Sequence, residues 1–188
     1  MTKLLILDMD GTIRVNGSAD FDNLELTSGF INSPKDQKLI PSAIAAMKQF
    51  KSKGFTIIGA SNQGGVAAGK KSLDDCIAEQ AYTIELAYEA DVEIHEILFC
   101  PDYEGQICLG VDGSKDGHWN YSDKYKDCAP FRKPSGGMIE VGRFLYEDPF
   151  DLNEIIFVGD RTEDEQAAKA ANVQFIHATE WRSSHWIV

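Results

Sequence analysis

Residues 3–12 read KLLILDMDGT, and the prediction of the fold starts from this stretch. Residues 4–7 are consecutive apolar side chains, which is typical of a central strand of a parallel sheet that is buried on both faces. The run ends at Asp8 and Asp10, and Gly11 follows directly and allows a sharp turn. Because open α/β sheets bind ligands outside the carboxyl ends of their strands, these two carboxylates are predicted to lie in a functional site.

Two carboxylates placed two residues apart can divide a phosphate hydrolysis between them. One can attack phosphorus and form an aspartyl phosphate, while the other donates a proton to the leaving group and later accepts one from water. Because carboxylate and phosphate are both anions, such a reaction needs a hard cation such as Mg²⁺. A D-x-D pair alone is a short motif, however, and its side chains could equally cap a loop or lie solvated at a strand end.

The length and charge of the chain limit the classes of protein that it can belong to. The chain has 188 residues, with 18 basic and 30 acidic side chains and a net charge of −12. This length suits a single α/β domain over residues 1–188. The negative charge disfavours long-range attraction to nucleic acid or anionic membranes. No signal-like segment and no apolar stretch near the roughly 18 residues of a spanning helix is present, so we expect a cytoplasmic protein with free or metal-bound thiols.

The rest of the chain alternates between strand and helix patterns, as expected for parallel strands joined by crossover helices. The predicted helices cover residues 40–53, 71–90, 135–146 and 165–171, and the predicted strands cover residues 55–60, 95–100, 154–158 and 173–178. Two segments, about 13–40 and 101–129, lack periodicity and are predicted to be loop insertions. The first would lie over the site. The second is rich in aromatic residues, which could line the substrate or pack against the sheet.

Polar residues follow two further predicted elements at positions that suit an anion. Ser61 and Asn62 come after the strand 55–60 and could donate hydrogen bonds to a phosphate oxygen, or they could simply form a turn. Lys133 precedes the helix 135–146, where an ammonium group and the helix dipole would favour an anion. An exposed loop lysine is the alternative interpretation.

A second acidic cluster, GDRTED at 159–164, follows the strand 154–158. If this strand is parallel to the first, Asp160 and Asp164 would lie at the same sheet edge as the D-x-D pair. Together these carboxylates could bind Mg²⁺. Alternatively, Asp164 could be the N-cap of the helix 165–171.

The four motifs DMDGT, ASNQGGVAAGK, RKPSGGM and VGDRTEDEQAA occur in this order and resemble the haloacid dehalogenase (HAD) superfamily of Asp-nucleophile phosphohydrolases. The combination of SNQGG with RKPSGGM is most similar to the branch that contains histidinol phosphatases, heptose bisphosphate phosphatases and polynucleotide 3′-phosphatases. The resemblance spans nearly the whole chain. It implies a Rossmann-like three-layer α/β sandwich with a central, mostly parallel sheet and no large cap domain.

The resemblance also implies a role for each motif residue. Asp8 would be the nucleophile, and Asp10 would be the general acid and base. Ser61 and Lys133 would bind phosphate, and Asp160 would bind Mg²⁺ together with Asp8 and the main-chain carbonyl of Asp10. The remaining predicted site residues are Asn62 at the phosphate and, as supporting residues, Gly11, Thr12, Arg132 and Asp164.

The chain departs from this branch in the segment before RKPSGGM. The sugar and histidinol phosphatases of the branch commonly carry a structural zinc loop of the form C-x-H…C-x-C there. In this chain Asp102 stands where the histidine would be, and Cys108 and Cys128 are spread along a longer insertion. These thiols with Cys100 and His118 could still bind Zn²⁺, but their spacing matches no recognised zinc motif, so Mg²⁺ is the expected cofactor.

Three functions are therefore compared. The leading prediction is a Mg²⁺-dependent phosphomonoester hydrolase acting on a small phosphorylated metabolite, such as histidinol phosphate or a sugar phosphate. The alternative is a polynucleotide 3′-phosphatase, because an open site would admit a strand end and aromatic residues near Trp119 could stack on bases. The negative charge opposes that alternative. A non-catalytic phosphate-binding protein is least favoured, because the acidic pair, Lys133 and Asp160 are all present.

Overall fold

The computed structural model describes residues 3–21, 31, 33–114, 117–145 and 154–183. Its strands are β1 (Lys3–Leu7), β2 (Arg14–Asn16), β3 (Gln37–Leu39), β4 (Phe55–Asn62), β5 (Glu96–Cys100), β6 (Leu109–Val111), β7 (His118–Asn120), β8 (Ile155–Gly159) and β9 (Gln174–His177). Its α-helices are α1 (Pro41–Ser52), α2 (Leu73–Glu89), α3 (Gly137–Leu145), α4 (Thr162–Ala170) and α5 (Ala178–Arg182), and a 3₁₀ turn covers Lys126–Cys128.

The apolar run of β1 lies inside the main sheet. In the described part of the chain this sheet has seven strands in the order β7-β6-β5-β4-β1-β8-β9. β1 pairs in parallel with β4 and β8, and β5 and β9 extend the parallel set on either side. The predicted mostly parallel sheet is therefore confirmed.

Helices cover both faces of the sheet and produce two separate cores. Because side chains alternate along a strand, Leu5 and Leu7 pack in one core with buried residues of α1, α2 and α5. Leu4 and Ile6 pack in the other core with buried residues of α3 and α4. The predicted three-layer sandwich is confirmed, and it explains why residues 4–7 are apolar without interruption. None of the helices described is both long and apolar enough to cross a bilayer.

The two segments predicted to be loops contain short strands. β2 and β3 pair antiparallel as a small separate sheet, and β6 and β7 extend the main sheet antiparallel beyond β5. Each of these strands has three residues, which is too short for alternating polarity to be recognised in a sequence. Residues 22–30, 32, 115 and 116 of these segments, and residue 146 of the third predicted helix, lie outside the described residues.

The last long helix begins earlier than predicted, and this corrects one interpretation of Asp164. α4 starts at Thr162, its N-cap is Arg161, and Asp164 lies within its first turn. The N-cap prediction for Asp164 was therefore wrong. From the third helical position, its Oδ2 accepts a hydrogen bond from the main-chain N–H of Arg161 at 3.0 Å, which is how an acidic side chain at that position stabilises a helix start.

Candidate active site

Parallel strands bring the predicted site residues to one edge of the sheet. In the observed register, Leu7 lies beside Gly59 of β4 and Val158 of β8. The main-chain N–H of Asp8 continues this pairing and donates to the Val158 carbonyl at 2.8 Å. The residues that follow these three strand ends, including Asp160, therefore leave the sheet at the same edge.

Asp8, Asp160 and Asp164 form an acidic cluster at this edge. Each offers a ligand atom, and these atoms all lie within 4.8 Å of one another. Burial and the neighbouring Asp164 raise the pKa of Asp160. Among the residues that the structure describes, the buried Oδ1 of Asp160 has no hydrogen-bond partner. A buried, unpartnered carboxylate oxygen beside two other carboxylates fits a hard divalent cation, which would supply the missing positive charge.

Lys133 is buried against two of these carboxylates. Its Nζ lies 2.5 Å from Asp8 Oδ1 and 2.7 Å from Asp164 Oδ1, and it donates to the Ala60 carbonyl at 3.0 Å. Burial acts to lower the pKa of Lys133, but Asp8 and Asp164 outweigh it and raise that pKa. The ammonium group therefore remains charged and is held by three oxygen atoms.

The side chain of Asn62 fixes the main chain of Lys133. Its amide group donates to the Lys133 carbonyl at 2.9 Å and accepts from the Lys133 N–H at 3.0 Å. Sequence reasoning assigned Asn62 to phosphate binding. The structure shows its side chain occupied in positioning Lys133, and direct contact with phosphate stays a prediction.

The loop after β1 places Asp8 in a constrained environment. Burial, with Asp164 and Asp10 nearby, raises the pKa of Asp8 from 3.8 to about 7, although Lys133 acts to lower it. The hydroxyl of Thr12 donates to Asp8 Oδ2 at 3.2 Å. Gly11 has a φ of +86°, and a Cβ at this position would lie 2.3 Å from Asp160 Oδ2. A glycine is therefore required both by the turn and by the close approach of Asp160.

The side chain of Asp10 is bound by a second group of residues. Arg14 donates from Nε to Asp10 Oδ1 at 2.8 Å and from Nη2 to Oδ2 at 3.3 Å, and Gln63 donates to Oδ2 at 2.9 Å. Burial acts to raise the pKa of Asp10, but Arg14 outweighs it and the pKa is lowered. The carboxylate is therefore ionised and fixed in orientation before any substrate binds.

This second group continues into helix α2. Arg14, whose side chain has no exposed surface, donates to Glu79 Oε1 at 2.6 Å. Glu79 also pairs with Lys71. Lys71 donates to Gln63 Oε1 at 3.2 Å, and Gln63 is the residue that binds Asp10. Sequence reasoning missed these four residues. The available signal was the charged Glu79 on the buried face of α2, where an apolar residue is normally found.

Ser61 is linked to Asp10 through Gln63, and Arg132 directly precedes Lys133 in the chain. The Ser61 hydroxyl is buried and accepts a hydrogen bond from Gln63 at 2.9 Å, which leaves its own hydrogen for another acceptor. The guanidinium group of Arg132 lies 5.4 Å from the ring centroid of Tyr103 and donates to the Asp102 carbonyl at 3.4 Å. An aromatic residue of the second insertion therefore packs on a predicted supporting residue.

Cys100, at the end of β5, is a free thiol, and so are Cys108 and Cys128 of that insertion. The Cys100 thiol lies 3.2 Å from Asp102 Oδ1, and Cys108 is buried in the core that contains α3. Within the described ranges, Asp8, Asp160 and Asp164 are the group of three or more potential ligands that lies close enough to hold one ion. Zinc was not the cofactor expected from the sequence, and its binding by these cysteines and His118 stays untested.

Sequence comparisons relate the chain to known phosphatases. The family model described as polynucleotide kinase 3 phosphatase matches residues 3–179. The D-glycero-beta-D-manno-heptose-1,7-bisphosphate 7-phosphatase of Pseudomonas aeruginosa is 32% identical over 172 residues, which cover 91% of this chain and 78% of that protein. The protein of the same name from Haemophilus influenzae is 26% identical over 174 residues, covering 93% and 79%.

Solved structures agree with these relatives. The D,D-heptose 1,7-bisphosphate phosphatase of B. bronchiseptica, complexed with magnesium and phosphate, superposes with a TM-score of 0.62 at 27% identity and covers 93% of this chain and 78% of that one. A HAD-like phosphatase from Mesorhizobium loti superposes with a TM-score of 0.66 at 26% identity, covering 92% and 69%. The overall fold of this chain is therefore similar to that of solved HAD-like phosphatases.

Proposed function

Because this chain belongs to the HAD phosphatases, in the family described as polynucleotide kinase 3 phosphatase, we propose that it is a Mg²⁺-dependent phosphomonoester hydrolase acting on a small sugar-type phosphate. The proposal places an aspartyl phosphate on Asp8. The observation that carries it is the buried Asp8 carboxylate with Lys133 Nζ at 2.5 Å and the unpartnered Asp160 oxygen in the same cluster. The proposed nucleophile, a fixed cation and a candidate metal ligand thus lie together at one edge of the sheet.

In the first step, a carboxylate oxygen of Asp8 attacks phosphorus while the bond between phosphorus and the leaving oxygen breaks. Thr12 binds Asp8 Oδ2 and so limits rotation of the attacking group. Lys133 and the Ser61 hydroxyl would hold the phosphoryl oxygens. Asp10, after taking up a proton, donates it to the leaving oxygen, so that an alcohol departs.

In the second step, Asp10 accepts a proton from water, and the resulting hydroxide attacks phosphorus. The bond to Asp8 breaks, which regenerates the carboxylate and releases inorganic phosphate. The contacts of Arg14 and Gln63 with Asp10 favour its ionised form, and this is the form that a general base needs.

The residues that would hold Mg²⁺ are Asp8, Asp160 and the main-chain carbonyl of Asp10, with Asp164 supporting the cluster through Lys133. Oxygen ligands of this kind are the ones that Mg²⁺ prefers, with water completing its shell. When bound, the cation would offset the negative charge of the phosphoryl group and of the attacking carboxylate.

The substrate class is proposed from the relatives, whose names specify a heptose bisphosphate. The net charge of −12 supports a small phosphate over a nucleic acid strand. The polynucleotide alternative is kept as one arm of the test, because the matching family model carries that description.

A substrate screen tests this proposal. The purified chain should be assayed for phosphate release from sugar mono- and bisphosphates, histidinol phosphate, nucleotides and 3′-phosphorylated oligonucleotides, each with and without Mg²⁺. We expect the highest kcat/KM for a sugar phosphate, and only with Mg²⁺. Hydrolysis of the oligonucleotide alone would select the polynucleotide alternative, and no release from any substrate would refute the proposed function.

Asp10→Asn should reveal the role of Asp10 through the leaving group. A general acid matters most for a poor leaving group, so we expect a loss of about 10²–10⁴-fold in kcat for an alkyl phosphate and a much smaller loss for p-nitrophenyl phosphate. Asp91→Asn is the matched control, because the Asp91 side chain is 94% exposed and its φ of 59° suits asparagine. Equal losses on both substrates would show that Asp10 serves only to shape the site.

A further inference from the structure

Arg182, in helix α5, binds the loop that carries the carboxylates of the site. Its Nη1 donates to the carbonyl of Gly11 at 2.7 Å and to the carbonyl of Thr12 at 2.8 Å. Neither the four motifs nor the family match over residues 3–179 includes this residue. Arg182 therefore contacts the site from outside the residues that match the family model.

Helix α5 is anchored next to Arg182. Trp181 has no exposed surface, and its ring centroid lies 6.3 Å from the ring centroid of Phe50 in α1. Ala178, at the start of α5, is also fully buried. The short helix therefore holds Arg182 on a rigid support, which limits the entropy lost when its guanidinium group binds the loop.

The other hydrogen bonds of the loop fix its N–H groups. The Met9 carbonyl accepts from the N–H groups of Thr12, Ile13 and Arg14 at 3.3, 3.0 and 3.1 Å, and the Gly11 N–H donates to the Arg14 carbonyl at 2.9 Å. Arg182 binds the outward carbonyls of Gly11 and Thr12. Because a peptide group is planar, fixing both its N–H and its C=O leaves it little freedom to rotate.

The two residues held by Arg182 each contact a carboxylate of the site. Thr12 donates to Asp8 Oδ2 at 3.2 Å. Gly11 is packed so closely on Asp160 that an added Cβ would lie 2.3 Å from its Oδ2. A rotation of the peptide between Gly11 and Thr12 would therefore displace Asp8, Asp160 or both.

We propose that Arg182 is a positioning residue, which holds the loop after β1 so that Asp8 and Asp160 keep the geometry needed for phosphoryl transfer. The effect on rate rests on the proposed function, whereas the effect on the loop does not. A displacement of about 1 Å at a reacting group can lower the rate on the order of 100-fold. Arg182→Met should therefore lower kcat by about that factor and leave KM within about threefold.

The test compares Arg182→Met, Arg182→Lys and Arg143→Met. Arg143 is the matched control, because it also lies in the last turn of its helix but pairs with Glu140 of that helix at 2.8 Å. Two experiments are done on each variant. Steady-state kinetics gives kcat and KM for p-nitrophenyl phosphate at saturating Mg²⁺, and mass spectrometry gives amide hydrogen exchange over residues 8–14. Exchange reports local opening of the loop without requiring activity.

For Arg182→Met we expect exchange over residues 8–14 to become at least about tenfold faster, with exchange elsewhere unchanged. Arg182→Lys should recover at least about tenfold of the lost kcat, because it keeps a charged donor. Unchanged exchange over residues 8–14, or faster exchange with kcat within threefold of the parent chain, would overturn the inference. If the parent chain hydrolyses no phosphate, the proposed function fails, and the exchange rates alone still decide whether Arg182 holds the loop.

Discussion

Asp8→Asn should abolish hydrolysis of p-nitrophenyl phosphate, with a loss of at least roughly 10⁴-fold in kcat, since removal of a catalytic nucleophile typically costs at least that much. An amide oxygen is a far weaker nucleophile than a carboxylate and forms no stable phosphoryl intermediate. The substitution changes one oxygen to an NH₂ group. Binding of substrate should consequently survive in the variant.

The fold should also survive, because ionised Asp8 is not a source of stability in the metal-free chain. Burial raises the pKa of Asp8 from 3.8 to about 7, so the folded chain binds a proton there more tightly than the unfolded chain does. The contribution of Asp8 to stability therefore falls as the pH rises from about 4 to about 7. A neutral asparagine removes this dependence and leaves Lys133 paired with Asp164. Thermal unfolding at pH 7.5 without metal should therefore occur at a temperature close to that of the parent chain.

Asp8→Glu is the control for loss of activity by displacement alone. This substitution keeps a carboxylate but moves it by one methylene group. The variant should therefore be nearly inactive, although its carboxylate still titrates. Beryllium fluoride, a phosphoryl mimic, should bind the parent chain with Mg²⁺ and should not bind Asp8→Asn. Activity of Asp8→Asn within tenfold of the parent chain would remove Asp8 from the mechanism.

Removal of the metal should have the second large effect. EDTA should eliminate phosphatase activity, and added Mg²⁺ should restore it. Ca²⁺, which is larger and accepts looser geometry with more ligands, should bind without supporting in-line attack. Because the proposed site supplies few protein ligands, Mg²⁺ binding in the absence of substrate should be modest, as measured by calorimetry.

Asp160→Ala should sharply raise the Mg²⁺ concentration needed for half-maximal activity, or it should abolish activity. The Asp160 Oδ1 atom has no hydrogen-bond partner among the described residues, and burial raises the pKa of this carboxyl. Its removal should not destabilise the metal-free fold. Glu163→Ala is the matched control, because this nearby carboxylate is 40% exposed and pairs with Arg161 at 3.7 Å. Full activity in EDTA, or an unchanged Mg²⁺ requirement in Asp160→Ala, would contradict the metal site.

Much of the fold could be predicted because its long elements have local signatures. The parallel strands β4, β5 and β8 are mostly apolar and have five to eight residues each, and the helices between them have an apolar stripe. The three-residue strands β2, β3, β6 and β7 could not be predicted, because their pairing depends on neighbours and not on their own pattern. The start of α4 at Thr162 was missed for a similar reason, since its first turn is polar.

Four candidate site residues could be identified from the sequence alone: Asp8, Asp10, Lys133 and Asp160. Each belongs to a short motif at a strand end or helix start, where its position follows from local structure. The partners of these residues, in contrast, depend on contacts between distant parts of the chain. Arg14 and Glu79 are 65 residues apart, and Arg182 and Gly11 are 171 residues apart. A buried charge needs an oppositely charged partner. Which residue provides it depends on how the helices pack on the sheet. The periodicity of apolar residues along the chain does not show which distant residues come into contact.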